Sequence, residues 1–152
     1  MQWADIRTVP DEALNADGRA EKRAQLMGIK YPAVVAYIQN DAGLLLSVTR
    51  KGTGEDAAPG GKCGANESLH RALRRETREE TNVELVHWRL VYDGFHTSGR
   101  RVFAYLAIEW RGVPEALEYG TRIAWVTPKT LANGFGAEYH RRALRAAKLL
   151  IS

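Results

Sequence analysis

One short segment of the 152-residue chain holds most of the side chains with obvious chemical potential. Five charged residues in it have a suggestive spacing: Glu67, Arg75, Glu76, Glu79 and Glu80. When residues 69–83 are placed on a helix at about 100° per residue, Glu76 and Glu80 fall within the broad inward face, and Glu79 lies at its edge. The other members of that face are Leu69, Ala72, Leu73 and Thr77.

The arginines of this segment are predicted on the opposite side of the helix, where Arg71, Arg74 and Arg78 would face solvent. A solvated helix usually carries its acids and bases together on the outer face, as i,i+4 pairs. Carboxylates that are gathered and partly desolvated destabilise one another. A hard divalent cation relieves this, and Mg²⁺ prefers carboxylate oxygens. The pattern therefore indicates a metal site, with an exposed helix and ordinary ion pairs as the alternative.

The residues ahead of this helix strengthen the metal interpretation. Pro59 is followed by Gly60 and Gly61, six residues before Glu67. Glycine has no side chain, so backbone groups at these positions can approach a ligand closely. A Gly-Gly pair alone is a weak signal, but this pair stands at a defined distance from the acids. Asn66 or Ser68 is the expected helix cap.

The whole pattern resembles the Nudix box. That box has Gly, five residues, Glu, seven residues, Arg-Glu, an aliphatic residue, any residue, Glu-Glu, any residue, Gly and an aliphatic residue. Every charged position matches: Glu67, Arg75, Glu76, Glu79 and Glu80 occur at the required spacing. Gly61 and the final Val83 also match. There are two departures. Thr77 replaces an aliphatic residue, and Asn82 replaces the glycine that ends the helix, a position that asparagine also tolerates.

The resemblance implies a fold, a metal and an activity. The implied fold is α/β, an α/β/α sandwich with a mixed β-sheet. The activity is metal-dependent hydrolysis of a diphosphate bond in a nucleotide-like substrate, with Mg²⁺ or Mn²⁺ as cofactor. Arg75 would hold a ligand glutamate in place, and Glu67 would support it. The implied metal ligands are the Gly60 carbonyl, Glu76, Glu79 and Glu80.

The identity of the general base stays open at this point, because members of the family use different bases. Glu79 and Glu80 are candidates within the box. Glu118 is a third, because it precedes a predicted strand at residues 123–126, where such enzymes often place an additional acid; an ordinary solvated loop residue is an equal alternative. The predicted catalytic residues are therefore Arg75, Glu76, Glu79, Glu80 and Glu118.

Substrate contacts are less sharply indicated. Phosphate groups need cations, and the predicted substrate-binding residues adjoin the second strand or the metal loop: Arg50, Lys51 and Lys62. A nucleobase needs a flat or apolar wall. Three aromatic residues suit that role but are predicted in the core: Tyr37, Phe95 and Phe135. Three polar residues are predicted as turn residues only: His96, Ser98 and Arg100.

The substrate class is narrowed by elimination. Position 98 is serine where ADP-ribose hydrolases tend to have proline, and Arg100, Arg101 and Val102 replace the tyrosine typical of dinucleoside polyphosphate hydrolases. This favours a nucleoside triphosphate or another nucleoside diphosphate linked to a further group. The alternatives are a non-catalytic nucleotide-sensing module on the same fold and an RNA 5′-end pyrophosphohydrolase. The family resemblance also allows a homodimer.

The elements that must position these residues can be read from hydrophobic periodicity. Strands are predicted at residues 31–40, 44–49, 84–92, 102–110 and 123–126, the first two as a hairpin. Helices are predicted at 68–81 and 137–150. The second helix would bury a face listed as Tyr139, Ala143, Ala146, Ala147 and Leu150. Mixed strands and helices predict a single α/β domain over residues 29–152, preceded by an extension, 1–28, with helix signals.

Composition excludes several classes of protein. Hydrophobic residues form 45% and charged residues 26% of the chain, which is typical of a globular domain. No apolar run is long enough for a membrane span, and no signal-peptide pattern is present. Cys63 is the sole cysteine, which suits a reducing compartment, so we expect a cytoplasmic protein. The net charge of +4 is not concentrated in a block, so a nucleic-acid partner is not favoured.

Overall fold

The computed structural model describes residues 31–151. Seven strands are present in this part of the chain: β1 (Ala33–Tyr37), β2 (Leu45–Thr49), β3 (Asp56–Ala57), β4 (Gly60–Lys62), β5 (Glu84–Phe95), β6 (Arg101–Arg111) and β7 (Ile123–Val126). The helices are α1 (Leu69–Thr81), α2 (Pro128–Leu131) and α3 (Ala137–Ala146). The extension predicted at residues 1–28 lies outside the described residues, so both it and the domain boundary after it stay predictions.

The strands form two sheets. The larger has the order β4-β1-β6-β5 and is mixed, because β1 is parallel to β6 while β4 and β5 are antiparallel to their neighbours. The smaller is antiparallel, with the order β3-β2-β7. Helix α1 contacts β4, β1 and β5, whereas α3 contacts β5. The predicted α/β/α sandwich with a mixed sheet is confirmed, with a second small sheet added.

The alternation of side chains along β1 shows why the sandwich has two cores. Val34 and Ala36 pack in one apolar cluster with Leu69, Ala72 and Leu73 of α1. Tyr37, one position further along, packs in a second cluster together with residues of α2 and α3. Successive residues of a strand point to opposite faces, so a five-residue strand supports a helix layer on each side.

The helix that carries the acids begins and ends where its caps predict. Ser68 is the N-cap, and its hydroxyl accepts a hydrogen bond from the backbone N–H of Arg71 at 3.1 Å. Asn82 ends the helix in the left-handed conformation, with φ 62° and ψ 15°. The asparagine therefore does what the replaced glycine would do. Of the two predicted N-caps, Ser68 is correct and Asn66 is not.

The predicted hairpin of the first two strands forms only at its turn. Backbone hydrogen bonds join Leu46 to Ile38 and Asn40 to Leu44 around an isolated Gln39–Leu45 bridge, and β1 and β2 do not pair further. Strand β1 has its two edges occupied by β4 and β6. Strand β2 therefore pairs elsewhere, with β3 and β7. Neither β3 nor α2 was expected from periodicity, because both are too short to show one.

The last helix is shorter than predicted, and its buried face is partly different. Tyr139 and Ala143 are buried as expected, but so are His140 and Leu144, whereas Ala146 is exposed. The helix ends at Ala146, and Lys148 adopts a positive φ of 60°. The helical pattern extrapolated to residue 150 therefore fails beyond this point. Cys63 follows β4 in a loop and is buried in the core beside α1.

Among residues 31–151, no helix is both long enough and apolar enough to cross a membrane.

The left-handed C-cap of α1 gives a stability prediction. Replacing Asn82 by glycine relieves the residual strain of a side chain at positive φ, and we expect the free energy of unfolding to rise by about 0.5 kcal/mol. Replacing it by alanine should lower the same quantity by about 1 kcal/mol, since alanine tolerates this conformation less well than asparagine. Urea denaturation measures both. An alanine variant as stable as the parent would contradict this account of the cap.

Candidate active site

The acidic face of α1 is built as the spacing predicts. Leu73 and Thr77 are fully buried and anchor the helix against the larger sheet. Glu76 lies on the same side, and its side chain is only 16% exposed, whereas Glu79 is 53% exposed. Glu80 is also partly buried. The exposed arginines of the opposite side are Arg71, Arg74 and Arg78.

The two glycines of β4 lie very close to these carboxylates. The backbone N–H of Gly60 lies 3.4 Å from Oε1 of Glu80. A Cβ atom added to Gly61 would lie 2.5 Å from Cδ of Glu76, and one added to Gly60 would lie 2.0 Å from the carbonyl oxygen of Val34. Position 60 therefore requires glycine because the backbone of β1 passes close by, whereas a side chain at position 61 would displace the Glu76 carboxylate.

Arg75 connects three glutamates. Its Nε donates to Oε2 of Glu67 at 2.7 Å, and Nη2 donates to Oε1 of the same residue at 2.9 Å. Nη1 donates to Glu76 at 2.9 Å and to Glu79 at 3.2 Å. Glu67 in turn accepts from the Gly64 N–H. A planar guanidinium that makes paired hydrogen bonds holds carboxylates in defined orientations, so Arg75 is placed to position the acids of α1.

The electrostatics distinguish the acids from one another. Burial, together with the charges of Glu76 and Glu118, raises the pKa of Glu80 to about 8, although the Gly60 N–H acts in the opposite direction. Burial also raises the pKa of Glu76, against the effect of Arg75. The hydrogen bonds from Arg75 lower the pKa of Glu67. Glu67 is thus a structural anion, whereas for Glu76 the single contact with Arg75 does not offset burial, and for Glu80 the described residues provide no ion pair.

The chemistry of Glu76 and Glu80 fits a hard divalent cation. Two adjacent, partly desolvated carboxylates supply oxygen donors and an excess of negative charge. Among the described residues, no group of three or more His, Cys, Asp or Glu side chains converges as a complete metal site. Mg²⁺ commonly takes one or two carboxylates and completes its shell with water and substrate phosphates. Glu79, bound to Arg75, stays a prediction as a ligand, as does the Gly60 carbonyl.

A cavity of about 610 Å³ opens beside these acids. Its lining includes Glu80 and the three predicted substrate-binding residues Arg50, Lys51 and Lys62. Glu118 also lines it, and its carboxylate lies 3.9 Å from Nζ of Lys51. The structure therefore brings the box helix, the cations after β2 and the loop acid around one space, which is large enough for a nucleotide-sized ligand.

Aromatic residues occupy this cavity differently from the expectation. Phe135 was predicted in the core but lines the cavity, and the guanidinium carbon of Arg50 lies 3.7 Å from the centre of its ring. Phe95 is 67% exposed and belongs to neither the core nor the cavity lining. Tyr37 is buried as predicted. Three residues predicted only as a turn also line the cavity: His96, Ser98 and Arg100.

One residue of the cavity lining, His140, and its contact with the core residue Tyr37 were not predicted from the sequence. His140 is 5% exposed, and its Nδ1 lies 2.6 Å from the hydroxyl of Tyr37, which is fully buried. These residues are 103 positions apart, on α3 and β1. The only local signal was a histidine next to Tyr139 on the apolar side of a helix, which by itself indicates burial rather than a role.

A family model described as the NUDIX domain matches residues 30–147. No curated protein sequence matches the chain.

Solved structures match more widely. A MutT NUDIX hydrolase from Burkholderia pseudomallei is 25% identical, with a TM-score of 0.64 over 75% of this chain and 97% of that one. The ORF135 protein of E. coli is 27% identical, with a TM-score of 0.61 over 77% and 91% of the two chains. The NUDIX domain of Shewanella oneidensis NrtR, solved with ADP ribose, is 18% identical, with a TM-score of 0.67 over 88% and 96%. This last likeness concerns the fold alone.

The buried histidine gives a pH prediction. Burial lowers the pKa of His140 to about 4, from 6.5. Between these values the unfolded chain binds more protons than the folded one, so the histidine's contribution to stability is complete above pH 6.5 and is lost as pH falls. We expect that contribution to be up to about 3 kcal/mol. Urea denaturation from pH 4 to 7 should show that the free energy of unfolding falls more steeply toward acid pH in the parent than in His140→Phe. Parallel curves would contradict it.

Proposed function

The chain belongs to the Nudix family of pyrophosphohydrolases, and we propose that its substrate is a nucleoside triphosphate or another nucleoside diphosphate linked to a further group. The observation that carries the proposal is the desolvated pair Glu76 and Glu80 beside a cavity lined by cations. Acids in excess favour a metal ion, and cations favour phosphate. Both are needed to bring a diphosphate next to a carboxylate site.

We propose that Mg²⁺, or Mn²⁺, is held by Glu76, Glu79, Glu80 and the Gly60 carbonyl. Bound there, such a metal would neutralise phosphate oxygens and activate a water molecule for hydrolysis. The protein's own part is to hold the carboxylates ready. Arg75 fixes Glu76 and Glu79 through hydrogen bonds at 2.9 and 3.2 Å. Burial raises the pKa values of Glu76 and Glu80, as is common for carboxylates at functional sites.

The cations of the cavity are proposed to bind the phosphates. Lys51 and Lys62 are both exposed and line the cavity, as does Arg50. Among the candidate bases, Glu79 is engaged by Arg75 and Glu80 by the Gly60 N–H. Glu118 has only the more distant Lys51, at 3.9 Å, and is 43% exposed. Of the three, it is the carboxylate least restrained by the described residues, so we favour it as the proton acceptor.

A product assay tests the function directly. The full chain is incubated with Mg²⁺ and a panel of ribonucleoside and deoxyribonucleoside triphosphates, ADP-ribose and nucleoside diphosphate sugars, and products are identified by mass spectrometry. Cleavage of a diphosphate bond in at least one compound is expected. Binding of a nucleotide without turnover would instead support a sensing module.

Glu80→Gln tests the acid site. The amide keeps an acceptor for the Gly60 N–H but removes the charge, so we expect kcat to fall by about 100-fold or more. The rise in melting temperature on adding Mg²⁺ should disappear as well. Glu84→Gln is the matched control, because Glu84 is exposed four residues further on. Equal losses in both variants, or none in Glu80→Gln, would contradict the assignment.

Gly61→Ala separates activity from stability. The added Cβ would lie 2.5 Å from Cδ of Glu76, at the far end of a flexible side chain, so the carboxylate moves rather than the backbone. We expect the free energy of unfolding to change by less than about 1 kcal/mol. The value of kcat should drop by about tenfold or more, because the carboxylate is displaced. Steady-state kinetics and urea denaturation measure the two effects. A large loss of stability with normal kcat would refute this role for Gly61.

A further inference from the structure

We propose that His140 recognises the base of the substrate by donating a hydrogen bond from Nε2 to a neutral acceptor, a carbonyl oxygen or an unprotonated ring nitrogen. This inference rests on the proposed function, because it assumes that a nucleotide enters the cavity. It goes further by assigning the residue that reads the heterocycle and the kind of atom it reads.

The imidazole of His140 reaches the cavity with one of its two ring nitrogens already hydrogen-bonded. His140 is 5% exposed and lines the cavity, and its Nδ1 is occupied by the Tyr37 hydroxyl at 2.6 Å. Nε2 makes no hydrogen bond to any residue within 31–151. Nε2 is accessible from the cavity rather than sealed in the core. A ligand atom in the cavity could therefore accept its hydrogen bond.

The hydrogen bond with Tyr37 determines which ring nitrogen of His140 carries the proton. Tyr37 is fully buried and makes no other hydrogen bond among the described residues. If Nδ1 carried the proton, the hydroxyl would accept and its own hydrogen would be buried without an acceptor. If the hydroxyl donates to Nδ1, every hydrogen of the pair is satisfied and the imidazole proton lies on Nε2. The network therefore favours a donor directed toward the ligand.

Burial and the proximity of His96 keep the imidazole neutral near pH 7 by lowering its pKa to about 4. A neutral donor offers a phosphate little compared with Arg50, Lys51 or Lys62, which carry full charges. The neutral donor therefore suits a neutral acceptor, which distinguishes this part of the cavity from the cationic part.

Phe135 lies beneath the guanidinium of Arg50 and 5.5 Å from the ring of His96, so three flat groups follow one another along the wall. Gly136 adjoins them, and a Cβ there would lie 3.3 Å from Cδ2 of His140 and 3.5 Å from Nε2 of His96. The missing side chain leaves a gap between the two imidazoles. Flat surfaces and a narrow gap favour a planar heterocycle over a sugar.

The test uses binding rather than turnover, so that it stays informative if the chain hydrolyses nothing in the panel above. The full chain, labelled with ¹⁵N-histidine, is titrated with AMP, GMP, CMP and UMP, and with ribose 5-phosphate as a base-free probe. The long-range ¹H–¹⁵N spectrum should show His140 as the neutral tautomer protonated at Nε2. At least one nucleotide should shift that Nε2 resonance, and ribose 5-phosphate should not.

His140→Phe should weaken binding of that nucleotide by about tenfold, the effect of one lost hydrogen bond in a desolvated site, with binding of ribose 5-phosphate unchanged. Because this variant leaves the Tyr37 hydroxyl buried alone, the double variant Tyr37→Phe with His140→Phe provides an all-apolar pair that should fold and show the same loss. His87→Phe is the control, since His87 is exposed on β5 and is not part of the cavity lining.

The proposal is overturned if His140 is protonated at Nδ1 alone, if no nucleotide moves its resonance, or if the double variant binds nucleotides like the parent. An equal response to ribose 5-phosphate would also overturn it, because it would make the site a sugar or phosphate subsite. Failure of hydrolysis with intact base-dependent binding would remove the enzymatic proposal alone and leave the role of His140 standing.

Discussion

The constraint on which the site depends is the placement of two carboxylates, Glu76 and Glu80, on the inward face of a helix, where burial outweighs the one cation, Arg75, that contacts Glu76. Their desolvation is unfavourable in the absence of a ligand, and both pKa values are raised as a result. The fold tolerates this because the surrounding apolar residues of α1 bind the helix firmly to the larger sheet. Stability derived from packing thus supports a local arrangement that is electrostatically unfavourable.

Close approach of the backbone is the second requirement. Strand β4 can lie close to β1 only because Gly60 has no side chain, and the absence of a side chain at Gly61 leaves room for the Glu76 carboxylate. Arg75 then restricts where the carboxylates point, because one guanidinium contacts three of them. Two glycines and one arginine therefore convert a row of acids on a helix into a site of defined geometry.

The two faces of the larger sheet divide the remaining work. The cluster beneath α1 supports the acids, whereas the cluster beneath α3 contains Tyr37 and, with it, the hydrogen bond that orients His140. The cavity is lined from both: Glu80 comes from α1, and His140 comes from α3. Glu80 and the neutral imidazole of His140 therefore reach the cavity from different layers of the sandwich.

The sequence by itself determined the helix of the box, its C-cap at Asn82, and the inward orientation of Glu76 and Glu80, and it limited the N-cap to Asn66 or Ser68. These are local consequences of helical periodicity and backbone preference, so they need no knowledge of distant residues. It also indicated the α/β class and most strands. The family resemblance supplied the expected sandwich, which the strand order then confirmed in detail.

Tertiary structure alone decided how distant segments meet. Strand β2 pairs with β7 instead of β1, since both edges of β1 are already occupied. Phe135 faces the cavity beside Arg50 rather than the core, and His140 meets Tyr37 across 103 positions. Contacts between residues so far apart depend on sheet order and helix placement. Periodicity reports which face of an element is buried, but it carries no information about which partner covers that face.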